Sequence, residues 1–85
     1  MRCSLWMVGG SSYGADDKPE TFTSVAAARE YVLAFWANFD GSTPCAENVE
    51  FHWYGCPAEN VNRQDPYPDE VWTRGPRGGV ARCPA

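Results

Sequence analysis

The chain has no isoleucine, few leucines, one lysine (Lys18) and one histidine (His52). Each shortage excludes something. Without Ile, a core of this size must be built from larger side chains, and aromatic residues make up 14% of the 85 positions. Full burial of one such side chain contributes about 1.5–3 kcal/mol. A single His leaves one imidazole for any zinc or nucleophilic chemistry. No apolar run approaches membrane-spanning length. The early run Leu5 to Val8 is cut short by Gly9-Gly10, too short for a signal-peptide core. The expectation is therefore a cytoplasmic protein with reduced thiols and no membrane association. There is no basic excess either: the net charge is −4, which argues against direct nucleic-acid binding. The scarcity of Ile and Lys beside abundant Ala, Gly, Pro, Val and Arg points to GC-rich coding DNA.

What is present is one domain spanning 1–85, long enough to bury roughly 60–65% of its unfolded surface around one small core. Trp6, Trp36, Trp53 and Trp72 lie in four separate segments. Charge is uneven. All the acidic residues precede Val71, whereas Arg74, Arg77 and Arg82 follow it with no acid among them. These Arg read first as solvated hairpin positions, and second as contacts for an acidic surface or a phosphate.

Along the chain, Cys3–Val8 reads as a strand and Ser11–Glu20 as a polar loop. Residues 25–39 form the clearest helix. Thr23 or Ser24 supplies the N-cap, Val25, Ala28, Val32, Phe35 or Trp36, and Phe39 form one apolar face, and Gly41 stops it. Ser42–Asn48 is a loop. Val49–Tyr54 alternates: Val49, Phe51 and Trp53 face one way, Glu50, His52 and Tyr54 the other. Ala58–Asp69 is a polar, Pro-containing connection. Glu70–Arg74 and Val80–Cys83 form a hairpin closed by Gly75-Pro76-Arg77-Gly78-Gly79, with Arg77 at its tip and glycines free to take positive φ. The fold class is α+β, ordered β-α-β-β-β, a mostly antiparallel sheet with one helix packed on one face. One helix cannot cover both faces. His52, Tyr54 and either Trp72 or its neighbours are expected on an open, aromatic-bearing face, of the kind that marks interaction sites. Which face the helix takes stays open, because a one-residue slip exchanges them.

Catalytic and metal chemistry find little support. Structural zinc ligands come in close pairs, whereas Cys45 and Cys56 are well separated and Cys3 and Cys83 lie near opposite ends. Cys83 reaches Cys3 only if the terminal strands are neighbours. Free thiols are expected, with no cofactor and no metal. Cys56 follows His52, but no motif frames a nucleophile and base. The Asp16-Asp17 and Asp65/Asp69 pairs match no calcium loop, and the Gly-rich turn lacks the features of a phosphate loop.

The run Asp65-Pro66-Tyr67-Pro68-Asp69, followed by Gly75-Pro76-Arg77-Gly78-Gly79-Val80, resembles the tail of small accessory proteins encoded by actinobacteriophages. The resemblance covers residues 65–82 well and the helix at Thr23–Asp40 loosely. It implies a phage gene product acting in a mycobacterial or related host, of unassigned function, and brings no catalytic residues. The expectation is a non-enzymatic protein that binds a host or phage protein, with candidate contacts His52, Tyr54, Trp72, Arg74 and Arg77. The alternatives are a self-assembling homodimer that pairs exposed strands, and an acidic decoy of a nucleic-acid-binding host protein.

Overall fold

The strand Cys3–Val8 and the alternating strand Glu50–Tyr54 pair side by side in the sheet. In the computed structural model, which describes residues 2–8, 19–37, 49–62, 64–75 and 79–84, the elements are β1 (Cys3–Val8), β2 (Glu20–Phe22), α1 (Val25–Ala37), β3 (Glu50–Tyr54), β4 (Glu70–Arg74) and β5 (Val80–Pro84). A single 3-10 turn, Ala58–Asn60, lies between β3 and β4. The sheet is antiparallel throughout, ordered β2-β1-β3-β4-β5. The α+β class with one helix on one face holds. The order gains one strand, because Glu20, expected in a loop, opens the short edge strand β2. Three residues carry too little periodicity to be read as a strand.

The register decides which face is the core. Leu5 pairs with Trp53, Met7 with Phe51, and Phe51 with Trp72. Directly paired residues share a face, so these side chains line one surface of the sheet. Helix α1 lies on that surface through Ala28, Val32 and Trp36, flanked by Val25 and Phe35. Phe51 is the hub. Its ring meets Phe35 at 5.3 Å and Trp36 at 5.5 Å, both edge-on, a geometry that adds about 0.5–1.5 kcal/mol per pair beyond area burial. Val49 precedes β3 yet is buried with Phe51 and Trp53, as the alternation predicts.

Ser24 is the helix cap. Its hydroxyl accepts the Ala27 N–H at 3.1 Å, and its carbonyl accepts the Ala28 N–H at 3.2 Å. The expected continuation to Phe39 and the stop at Gly41 lie outside the described residues, as do the loops at 11–18 and 42–48 and the hairpin tip at 76–78. At the base of the hairpin, Gly75 donates its N–H to the Gly79 carbonyl at 2.7 Å. A Cβ on Gly75 would stand 3.2 Å from that carbonyl oxygen, while one on Gly79 would meet open space. Glycine at Gly75 suits this close approach, since a side chain there requires the Gly79 carbonyl to give way by a few tenths of an ångström.

The helix face also carries a cluster that the alternation alone does not predict. Trp53 and Trp72 stack in parallel, centroids 6.1 Å apart and 8° between planes. Arg82 lies against both rings, its guanidinium carbon 5.2 Å from the Trp72 centroid and 5.9 Å from that of Trp53. Glu70 then ties the cluster together. Its Oε1 accepts Trp72 Nε1–H at 2.9 Å and Arg82 Nε–H at 2.7 Å, and its Oε2 accepts a second Arg82 N–H at 2.9 Å. The Arg82 bond holds the Glu70 carboxyl below its ordinary pKa, against a smaller opposing effect of burial. Arg82 is thus a structural clamp on the tryptophan pair.

Candidate functional site

The face opposite the helix divides into two parts. In the first, Trp6 pairs with His52, His52 with Val71, and Val71 with Cys83. These pairs make one row across β1, β3, β4 and β5. Trp6, His52 and Val71 are half-buried and Cys83 is exposed. Thr73 and Ala81, paired beside this row, are also half-buried. His52 Nε2 lies 3.5 Å from the Glu50 carboxylate on the same strand, an ion pair only when His52 is protonated.

In the second part, the connection from Gly55 to Asp69 folds back over the sheet. Ser4 Oγ–H donates to the Cys56 carbonyl at 2.9 Å, and Ala58 N–H donates to Thr21 Oγ1 at 2.9 Å. Asp69 holds both ends of the connection. Its Oδ2 accepts the Gly55 N–H at 2.7 Å, and its own N–H donates to the Trp53 carbonyl at 2.9 Å. Between this segment and the sheet lies an open cleft of about 410 Å³, lined among others by Tyr54, Cys56, Val61, Asp65, Tyr67 and Asp69. Tyr54 is only 4% exposed, and its hydroxyl has no hydrogen-bond partner among the described residues. Burial raises its pKa, and the nearby Cys56 and Asp69 add to the rise. Tyr67, by contrast, is 78% exposed between Pro66 and Pro68.

The candidate contacts separate accordingly. His52 and Tyr54 do share the face away from the helix, but Tyr54 is covered by the returning connection. Trp72 is not on that face. Its pairing with Phe51 turns it into the core at 0% exposure, and Trp6, half-buried beside His52, is the aromatic residue that stays partly accessible on the outer face among the described strand residues. Arg74 is exposed at the end of β4, on the same side of the strand as Trp72. Arg77 lies outside the described residues. A bridge from Cys83 to Cys3 is also ruled out. β1 and β5 are three strand spacings apart, about 14 Å. Moreover, Cys3 is buried on the core face while Cys83 is exposed on the other.

Reasoning from sequence missed the cleft. Its signal was the paired Asp-Pro and Pro-Asp of the 65–69 run, where Asp69 is a clamp as well as a turn former. No group of three metal-ligating side chains occurs among the described residues, and no described helix is long and apolar enough to cross a membrane.

Comparison with known proteins places the chain in no group. No family model, no curated protein and no solved structure matches it.

Proposed function

We propose that this chain is a small non-enzymatic accessory protein of a phage, binding a host or phage protein in the bacterial cytoplasm through the sheet face turned away from α1. One observation carries the reading. The row Trp6–His52–Val71–Cys83 crosses four strands and keeps an aromatic ring, an imidazole and a branched apolar side chain partly accessible side by side. Protein interfaces favour aromatic residues at their centre and a polar rim, and Glu50 and Thr73, on the same face, supply polar groups beside this row; Arg74, on the other side of β4, does not. The phage origin rests on the resemblance of the 65–82 tail and on the GC-rich composition. Trp72 takes no direct part in contact, and Trp6 replaces it.

The test is recovery of a partner by the tagged protein from a mycobacterial host, compared with a Val71→Asp variant whose melting confirms folding. A stoichiometric protein held by the parent and lost by the variant supports the reading; equal recovery by both removes the face from consideration.

A second reading has its own support. β5 is an outer strand of the sheet, and an outer strand offers backbone groups for pairing with a second copy. Homodimerisation through β5 predicts a concentration-dependent mass in sedimentation, and a monomer at the highest concentrations dismisses it.

A further inference from the structure

We propose that the segment 55–62 is a hinged strap that lifts from the sheet while the sheet stays folded, uncovering a hidden part of the outer face. The first observation is what lies beneath it. Ser4 pairs directly with Tyr54, two positions along each strand from the pair Trp6 and His52. All four share the outer face, yet Ser4 and Tyr54 are buried where Trp6 and His52 are half-buried. The strap makes the difference, since Ser4 Oγ–H donates to the carbonyl of Cys56 within it.

The second observation is how little holds the strap. Within 55–62 only Val61 is buried, and the turn Ala58–Asn60 buries nothing. Its described attachments to β1 and β2 are the Ser4–Cys56 bond, the bond from Ala58 N–H to Thr21 Oγ1, and the Arg2–Glu59 ion pair, exposed on both sides. Segments with few buried apolar contacts open before the core does. The third is a cost of the closed state. The Tyr54 hydroxyl is buried with no partner among the described residues. An unmatched buried hydroxyl is costly, and opening hydrates it. Asp69, holding Gly55 N–H at 2.7 Å, fixes the near end as a pivot. Lifted, the strap adds two hydroxyl side chains to the row led by Trp6 and His52. That this enlarged surface serves binding rests on the reading of the outer face above; the opening itself does not.

Native-state amide hydrogen exchange of the whole chain tests the opening without any partner. Ala58 N–H, which bridges strap and sheet, is the reporter, and Phe51 N–H in the central strand β3 is the reference. Ala58 should exchange faster than Phe51 and respond little to low urea, because a local opening exposes little surface. Arg82→Ala weakens the sheet where the strap does not touch it; it should speed exchange at Phe51 and leave Ala58 unchanged. Thr21→Val, which removes the acceptor, should speed Ala58 about fivefold, and Tyr54→Phe, which removes the unmatched hydroxyl, should slow it about tenfold. If urea and Arg82→Ala speed Ala58 as much as Phe51, the strap leaves only when the sheet unfolds and the proposal is overturned. Exchange of Ala58 at the rate of an unstructured chain, or no slowing in Tyr54→Phe, also overturns it. Partner recovery by Val71→Asp is read separately, so a strap that stays closed refutes the cover and leaves the binding face standing, and the converse holds.

Discussion

Removal of the Arg82 side chain should destabilise the protein far more than removal of an ordinary surface arginine. Arg82 makes two hydrogen bonds to Glu70 and lies over two tryptophan rings. Its side chain is 40% exposed and that of Glu70 is 23% exposed, so the ion pair is screened and contributes only about 1 kcal/mol, the upper end for exposed pairs. The cation–π contact adds about 0.5–1 kcal/mol. The alkyl stem, which shields the edge of the tryptophan pair, adds a comparable amount of about 0.5–1 kcal/mol. Arg82→Ala should therefore cost about 2–3 kcal/mol, which for a domain of this length lowers the melting temperature by roughly 10–20 °C. Arg82→Lys keeps the charge but loses the fork and should fall between the two. A double-mutant cycle with Glu70→Gln should show a coupling of about 1 kcal/mol. A thermal melt in which Arg82→Ala shifts by no more than Arg74→Ala, or a cycle with additive effects, would refute the clamp.

Other outcomes follow from the same geometry. The lowered pKa of Glu70 means its contribution is complete above the unfolded-state pKa and is lost as pH falls through the folded-state value; acid titration of stability should lose that limb in Arg82→Ala. Ser24→Ala should cost about 1 kcal/mol through loss of the helix cap, read by chemical denaturation. Gly75→Ala should lower the melting temperature, because its Cβ meets the Gly79 carbonyl, whereas Gly79→Ala should be tolerated. Among the described cysteines, Cys83 should react with a thiol reagent in the native state and Cys3 only on unfolding, as followed by mass spectrometry.

The parts of this fold that could be read from sequence were those with a local signal. The alternation of Val49, Phe51 and Trp53 is intrinsic to a half-buried strand, and all three are buried. Ser24 sits where a hydroxyl can satisfy a free N–H of the first turn, and it does so. The Gly75–Gly79 closure is equally local. What could not be read depends on pairing between distant segments. Trp72 looks as suitable for an outer face as for a core; only its register opposite Phe51 decides, and register belongs to the assembled sheet. β2 exists because β1 offers it an edge, since Cys3, Ser4 and Leu5 pair with Phe22, Thr21 and Glu20. Tyr54 follows the alternation but is buried by a connection whose composition reads as solvated loop. The same long-range closure turns Asp69 from a turn residue into a clamp and makes the cleft. Arg82 read as a solvated arginine because its partners, Glu70 and Trp72, reach it only across the β4–β5 ladder.

The central claim is that the sheet face bearing Trp6, His52 and Val71 is the binding surface. Its most direct measurement is recovery of a partner by Val71→Arg against a control, Glu30→Arg, at an exposed position of α1. Both variants should be shown by melting to be folded. The account predicts that Val71→Arg loses the partner held by the parent protein while Glu30→Arg retains it. Retention by both would contradict it, and loss by Glu30→Arg alone would contradict it and move the interface to the helix side of the molecule.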